Sequence, residues 1–125
     1  VLGLARKGTG IRGVKVLVLG ISFKENCPDI RNTKVFEMLQ TLERYRIDCE
    51  VVDPCVNAKE SKSEFNLDVQ ELIPFGKKFN AVILAVGHRQ FREIQSQQWE
   101  ELLVPDGVLV DLVGTIPREL SAIRL

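Results

Sequence analysis

The segment Val14–Leu42, "VKVLVLGISFKENCPDIRNTKVFEMLQTL", changes its hydrophobic rhythm part-way along, and that change decides the fold. From Val14 to Leu19 the chain is nearly continuous in Val and Leu, the pattern of a strand buried on both faces. Asn32 or Thr33 can then cap a helix in which Val35, Met38, Leu39 and Leu42 share one face, running to about Arg46. A buried strand, a turn and an amphipathic helix in that order open a parallel sheet.

The rest of the chain repeats the theme. "AVILAV" (Ala81–Val86) and "GVLVDLV" (Gly107–Val113) are further buried-strand runs, and "CEVVDP" (Cys49–Pro54) is a shorter one closed by proline. The spacing predicts a helix over Ser96–Leu103, with Trp99, Leu102 and Leu103 together, and "PDG" at 105–107 turning the chain into the last strand. A short helix near Asn57–Glu64, a minor strand around Asn66–Val69 and a helical turn at Gln70–Phe75 fill the middle. Strands alternating with helices imply right-handed crossovers. The expected fold is therefore a three-layer, Rossmann-like α/β domain with a mainly parallel sheet of about five strands. Residues 14–125 form it, and residues 1–13 read as the end of an interdomain helix or linker.

Composition narrows the function. Lysine plus arginine equal aspartate plus glutamate at 17 each, so net charge favours neither nucleic acid nor an acidic membrane surface. Three cysteines, Cys27, Cys49 and Cys55, without C-x-x-C spacing and with one histidine in the chain, argue against a disulfide framework and a zinc site. A reducing, cytoplasmic setting is expected. No apolar run approaches the roughly 20 residues of a membrane span.

In open parallel sheets ligands lie beyond the carboxyl ends of the strands. That edge collects the turn after Gly20, Asp53, Gly87 with His88, and Asp111–Thr115. The turn lacks the glycines of G-x-G-x-x-G, and Asp53 comes 33 residues after Gly20, too far for the usual ribose-binding acid. It carries instead Lys24, Glu25, Asp29, Arg31 and Lys34. Lys24 and Arg31 can bring side-chain cations to an anion, or Lys24 can be solvated and Arg31 can pair with Asp29 or Glu25. His88 can touch a ligand or hold a loop, and Asp53 and Asp111 can orient a ribose or cap loop amides. Cys27 reads as structural. A phosphoacceptor domain would need carboxylates after the first strand, and a hydrolase would need G-x-S-x-G. Neither is present.

The stretch "VLVLGISFKENCPDIRNTKV", with "VVDP", "AVILAVGHRQF" and "DLVGTIPRE" after it, resembles the C-terminal, UDP-binding domain of the UDP-glucose/GDP-mannose dehydrogenase family. The wording "FKENCPDIRNTKV" is most similar to the branch that oxidises UDP-N-acetylhexosamines to uronic acids for surface polysaccharide. The resemblance implies an NAD-dependent oxidation of a sugar C6 hydroxyl to a carboxylate by a three-part protein. NAD sits mainly on an N-terminal domain, and a central domain supplies the catalytic cysteine and the dimer. This chain would then hold the UDP-sugar, with Phe23 and Lys24 on the substrate and Arg31 reaching toward NAD. No catalytic or metal-ligating residue is expected here, and the isolated chain would be inactive. The parent would be a homodimer or larger. The family follows its last-strand aspartate with a basic residue two positions on, where this sequence has Val113. A stand-alone nucleotide-binding or oligomerisation module with a degenerate site is the alternative that Val113 favours.

Overall fold

The computed structural model describes residues 13–22, 24–28 and 33–124. The expected linker at 1–13 lies, but for Gly13, outside them. Among the described residues ten elements follow in order: β1 Lys15–Leu19, α1 Thr33–Arg44, β2 Asp48–Val52, α2 Ala58–Phe65, β3 Val69–Gln70, β4 Phe79–Leu84, α3 Arg89–Arg92, α4 Ser96–Glu101, β5 Leu103–Asp111 and β6 Ala122–Arg124.

The strands form one six-stranded sheet in the order β3-β2-β1-β4-β5-β6, and every pairing is parallel. Strand order reverses between β1 and β4, so their adjacent carboxyl ends are where this class of sheet places a ligand. The alternation of β1 divides the core in two. Val16 and Val18 join Val35 and Leu42 of α1 on one face. Leu17 and Leu19 join Phe91, Ile94, Trp99 and Leu102, from α3, α4 and their ends, on the other. Phe36 of α1 stacks on Phe65 of α2 with ring centroids 5.1 Å apart, which puts α2 beside α1. The three-layer, Rossmann-like architecture is thus the one read from the sequence.

Several boundaries differ, each for a tertiary reason. The helix at Ser96 stops at Glu101, because Leu102 O accepts the Phe79 amide and Leu103 pairs with Phe79 at the start of β4. The "PDG" turn is absorbed into β5 as an irregularity: Phe79 faces Leu103 and Ala81 already faces Val108, so β5 carries three surplus residues there, and Pro105 and Asp106 are exposed. No helical turn forms at Gln70–Phe75. Gln70 ends β3 and its carbonyl accepts the Asp53 amide. The sheet also has an unforeseen edge strand, β6, with no apolar alternation to announce it. No helix among the described residues is long and apolar enough to cross a membrane.

Candidate functional site

Gly20 sets the geometry of the turn after β1. Its φ is +100°, and a Cβ there would lie 2.6 Å from Val86 Cβ. Only glycine lets the two central strands discharge their turns this close together. The amides of Ile21 and Ser22 then point at Asp53 Oδ2, at 2.9 and 3.0 Å, and Ser22 Oγ donates to the same oxygen at 2.7 Å. In a dinucleotide fold the amides of this turn would face a phosphate. Here a buried carboxylate of the protein takes them.

His88, wholly buried, completes the cluster. Its Nε2 lies 2.9 Å from Asp53 Oδ2 and 3.1 Å from Ser22 Oγ, while Nδ1 accepts the Asn26 amide at 2.8 Å. A backbone amide can only donate, so Nδ1 is the bare nitrogen and Nε2 carries the hydrogen. Burial by itself raises the Asp53 carboxyl, but the hydrogen bonds from His88, Ser22 and the Ile21 and Cys55 amides outweigh it and hold it below the usual carboxylate range. Asp53 and His88 are therefore loop-holding groups in this structure.

Cys55 Sγ lies 3.4 Å from the same His88 Nδ1. That nitrogen is already engaged by Asn26, so it is no general base for the thiol. Burial, and then the Asp53 charge, push the Cys55 thiol up. Cys49 is likewise raised, to about 11, by burial with Asp48 and Glu43.

Asn26 is the pin of the predicted binding loop. With φ at +56° it donates its amide to His88 and accepts the Arg89 amide on Oδ1 at 2.9 Å, so α3 is capped by a residue 63 positions earlier. Arg92 Nε donates to Gly87 O at 3.0 Å, and Arg92 Nη2 pairs with Glu25 Oε2 at 2.5 Å. Lys24 is exposed at the head of this pinned loop and makes no ion pair among the described residues. Phe23 and Arg31, the other predicted contacts, lie outside the described residues. Nothing in the spacing of Asn26 or Arg92 signals their roles.

At β5, Asp111 Oδ1 accepts the amides of Val113 (3.0 Å) and Gly114 (2.7 Å), and Oδ2 accepts that of Ile116 at 3.0 Å. Desolvation pushes against ionisation, yet these amides hold the Asp111 carboxyl low. Val113, standing where a cation was expected, packs against Gly87: a Cβ added to Gly87 would meet Val113 Cγ1 at 2.8 Å and Arg92 Nη2 at 3.4 Å. A cation thus reaches this corner from α3 instead of from β5. A groove of about 530 Å³, lined by Pro54, Leu72, Ile73, Phe75, Gln90 and Phe91, lies along α3. The residues that line this groove include no cation.

Comparison with known proteins adds a lineage. The profile of the UDP-glucose/GDP-mannose dehydrogenase family, UDP binding domain, matches residues 17–118. The chain is 37% identical over 123 residues to UDP-N-acetyl-D-glucosamine 6-dehydrogenase of Salmonella typhi, covering 98% of this chain and 28% of that protein. It is 33% identical over 125 residues to the Pseudomonas aeruginosa enzyme of the same name, covering 100% and 29%. It thus spans less than a third of the curated relatives it matches. The fold is shared with NDP-N-acetyl-D-galactosaminuronic acid dehydrogenase from Methanosarcina mazei at a TM-score of 0.79 and 19% identity, over 94% of this chain and 24% of that one.

Proposed function

The chain belongs to the UDP-glucose/GDP-mannose dehydrogenase family through its UDP-binding domain, and from that premise we propose that it holds the nucleotide-sugar of an NAD-dependent UDP-N-acetylhexosamine 6-dehydrogenase. The parent activity is oxidation of a sugar C6 hydroxyl to a carboxylate for surface polysaccharide, by a homodimer or larger assembly in the cytoplasm. The observation that carries the reading is the pinned loop: Asn26 ties the loop to His88 and to the start of α3, so Lys24 is presented on a set backbone. Lys24 and Phe23 are assigned to the UDP-sugar and Arg31 to the cofactor side. Arg92, beside Val113, supplies the positive charge that Val113 lacks.

The first turn argues against NAD on this chain in the ordinary way. The Ile21 and Ser22 amides are spent on Asp53 Oδ2, which leaves no backbone cradle for a pyrophosphate there. NAD, which accepts the hydride in the parent reaction, belongs mainly to another domain. Side-chain cations suit a diphosphate that must also be released, because they can be hydrated when it leaves.

Titration of the 125-residue chain with UDP and UDP-N-acetylglucosamine, read by amide NMR, tests the reading. Shifts at residues 24–28 and around Arg92 at roughly millimolar ligand are expected, since half a cleft binds weakly. Shifts absent there, or unchanged in Lys24→Ala, overturn it. NAD reduction by this chain alone would overturn the assignment of catalysis to other domains.

A further inference from the structure

We propose that His88 is a proton-operated latch: the neutral ring holds the loop that carries Lys24, and a proton taken up on Nδ1 releases it. Geometry fixes the closed form. Nε2 donates to Asp53 Oδ2 at 2.9 Å, which leaves Nδ1 bare, and the Asn26 amide donates to that bare nitrogen at 2.8 Å. A backbone N–H has no lone pair to offer in exchange. Once Nδ1 gains a hydrogen from solvent, two donors face each other and the bond to Asn26 is lost.

The groups around the ring direct the proton to it. Asp53 faces Nε2; burial pushes its carboxyl up, but the hydrogen bonds from His88, Ser22, Ile21 and Cys55 hold it below the usual range, so it stays an anion. Cys55 Sγ faces Nδ1 at 3.4 Å, and burial with the Asp53 charge keeps it a neutral thiol. From α3, Phe91 packs its ring 5.5 Å from the imidazole, while Arg89 lies 3.9 Å from Glu93 and Arg92 pairs with Glu25 of the loop. Lys24 and Cys27 sit in the loop itself, on either side of Glu25 and Asn26. Histidine is the side chain whose ordinary titration falls between about pH 5 and 8. The imidazolium that results faces a carboxylate at 2.9 Å and a thiol sulfur that can accept weakly.

Release of one bond loosens the whole turn. Asn26 is held in the left-handed region, at φ +56°, between its amide bond to His88 and the Arg89 amide on its Oδ1 at 2.9 Å. That backbone conformation is costly for a residue with a Cβ and persists where such bonds offset it. With the first bond gone, the second holds a strained residue alone. The latch does not rest on the nucleotide-sugar reading; where that reading holds, acid also loosens the presentation of Lys24.

The test follows the 125-residue chain, without nucleotide, by NMR from about pH 8 to about pH 5. Ring-nitrogen shifts are expected to show a bare Nδ1 at the alkaline end and two protonated nitrogens at the acid end. The Asn26 and Arg89 amides are expected to move with the same midpoint as the ring. Hydrogen-exchange protection of the Asn26 amide, referred to an unstructured amide at the same pH, should fall about tenfold, the worth of one backbone hydrogen bond. His88→Asn offers a carbonyl oxygen that accepts but takes up no proton in this range, and its Asn26 amide should stay in place throughout. The parent chain decides the matter even where that variant does not fold. A ring that stays neutral to about pH 5, or one that titrates while Asn26 keeps its shift and protection, overturns the proposal. So does a folded His88→Asn chain whose Asn26 amide titrates as the parent's does.

Discussion

His88 Nε2 sits 2.9 Å from Asp53 Oδ2 with neither side chain exposed to solvent, and the bond joins the exits of β4 and β2 across the intervening β1. The same carboxylate oxygen accepts Ser22 Oγ and two amides of the β1 exit. One side chain thereby locks three turns together at the edge where the nucleotide-sugar is proposed to bind.

Asp53→Asn keeps the shape and removes the charge that four donors on Oδ2 share. Hydrogen bonds to an ionised acceptor are stronger than neutral ones, and their loss is expected to cost about 3 kcal/mol. Urea denaturation should show a lower midpoint with an unchanged slope, and the amide resonances of Ile21, Ser22 and Asn26 should shift. A midpoint within about 0.5 kcal/mol of the parent would mean the cluster is incidental.

The same carboxylates set the acid limb of stability. Asp53 and Asp111 both titrate below the ordinary 3.8 when folded. A depressed folded value means that the unfolded chain binds protons first as pH falls. The stabilisation is therefore complete above the unfolded value and is lost as pH drops through the folded ones. Denaturation midpoints should be flat from neutral pH down to about pH 5 and fall steeply below about 4. Asp111→Asn should shallow that fall.

Gly20→Ala places a Cβ 2.6 Å from Val86 Cβ and 2.9 Å from the Val86 nitrogen, at a φ of +100°. Backbone cannot yield as a flexible side chain would, and the left-handed conformation adds its own strain. A loss of about 2–4 kcal/mol is expected in a denaturant titration. A neutral result would show that the β1 turn can move away from β4.

The fold was legible because β1 and β4 are apolar runs buried on both faces, because the apolar second half of β5 follows the same pattern in sequence, and because α1 carries its stripe at Val35, Met38, Leu39 and Leu42. What escaped were features fixed by partners distant in sequence. Leu102 and Leu103 look helical until Phe79 claims them, and β6 is three residues held by Leu109–Asp111. At the site, Lys24 was visible as a cation in an unusual turn. The roles of Asn26 and Arg92 were not, since each depends on atoms more than 60 positions away. His88 stood out as the chain's one histidine, but its loop-holding role appears only beside Asp53.

Glu25 yields the last prediction, and its sign is unusual because the variant should bind better. Its carboxylate neutralises Arg92 at 2.5 Å, with both side chains about half exposed. An exposed pair of this kind contributes about 0–1 kcal/mol to folding, so Glu25→Gln should leave the denaturation midpoint nearly unchanged. The substitution adds one net positive charge next to Lys24, on the face proposed to meet a diphosphate. UDP affinity should therefore rise by about twofold to fivefold at low ionic strength, and the gain should shrink as salt approaches physiological levels. Arg92→Gln should move affinity the other way by a similar factor. Titrations of both variants at two salt concentrations decide the matter. If Glu25→Gln weakens UDP binding while leaving the fold intact, the pair positions the loop rather than tuning its charge, and Arg92 is not the cation that stands in for a basic residue at Val113.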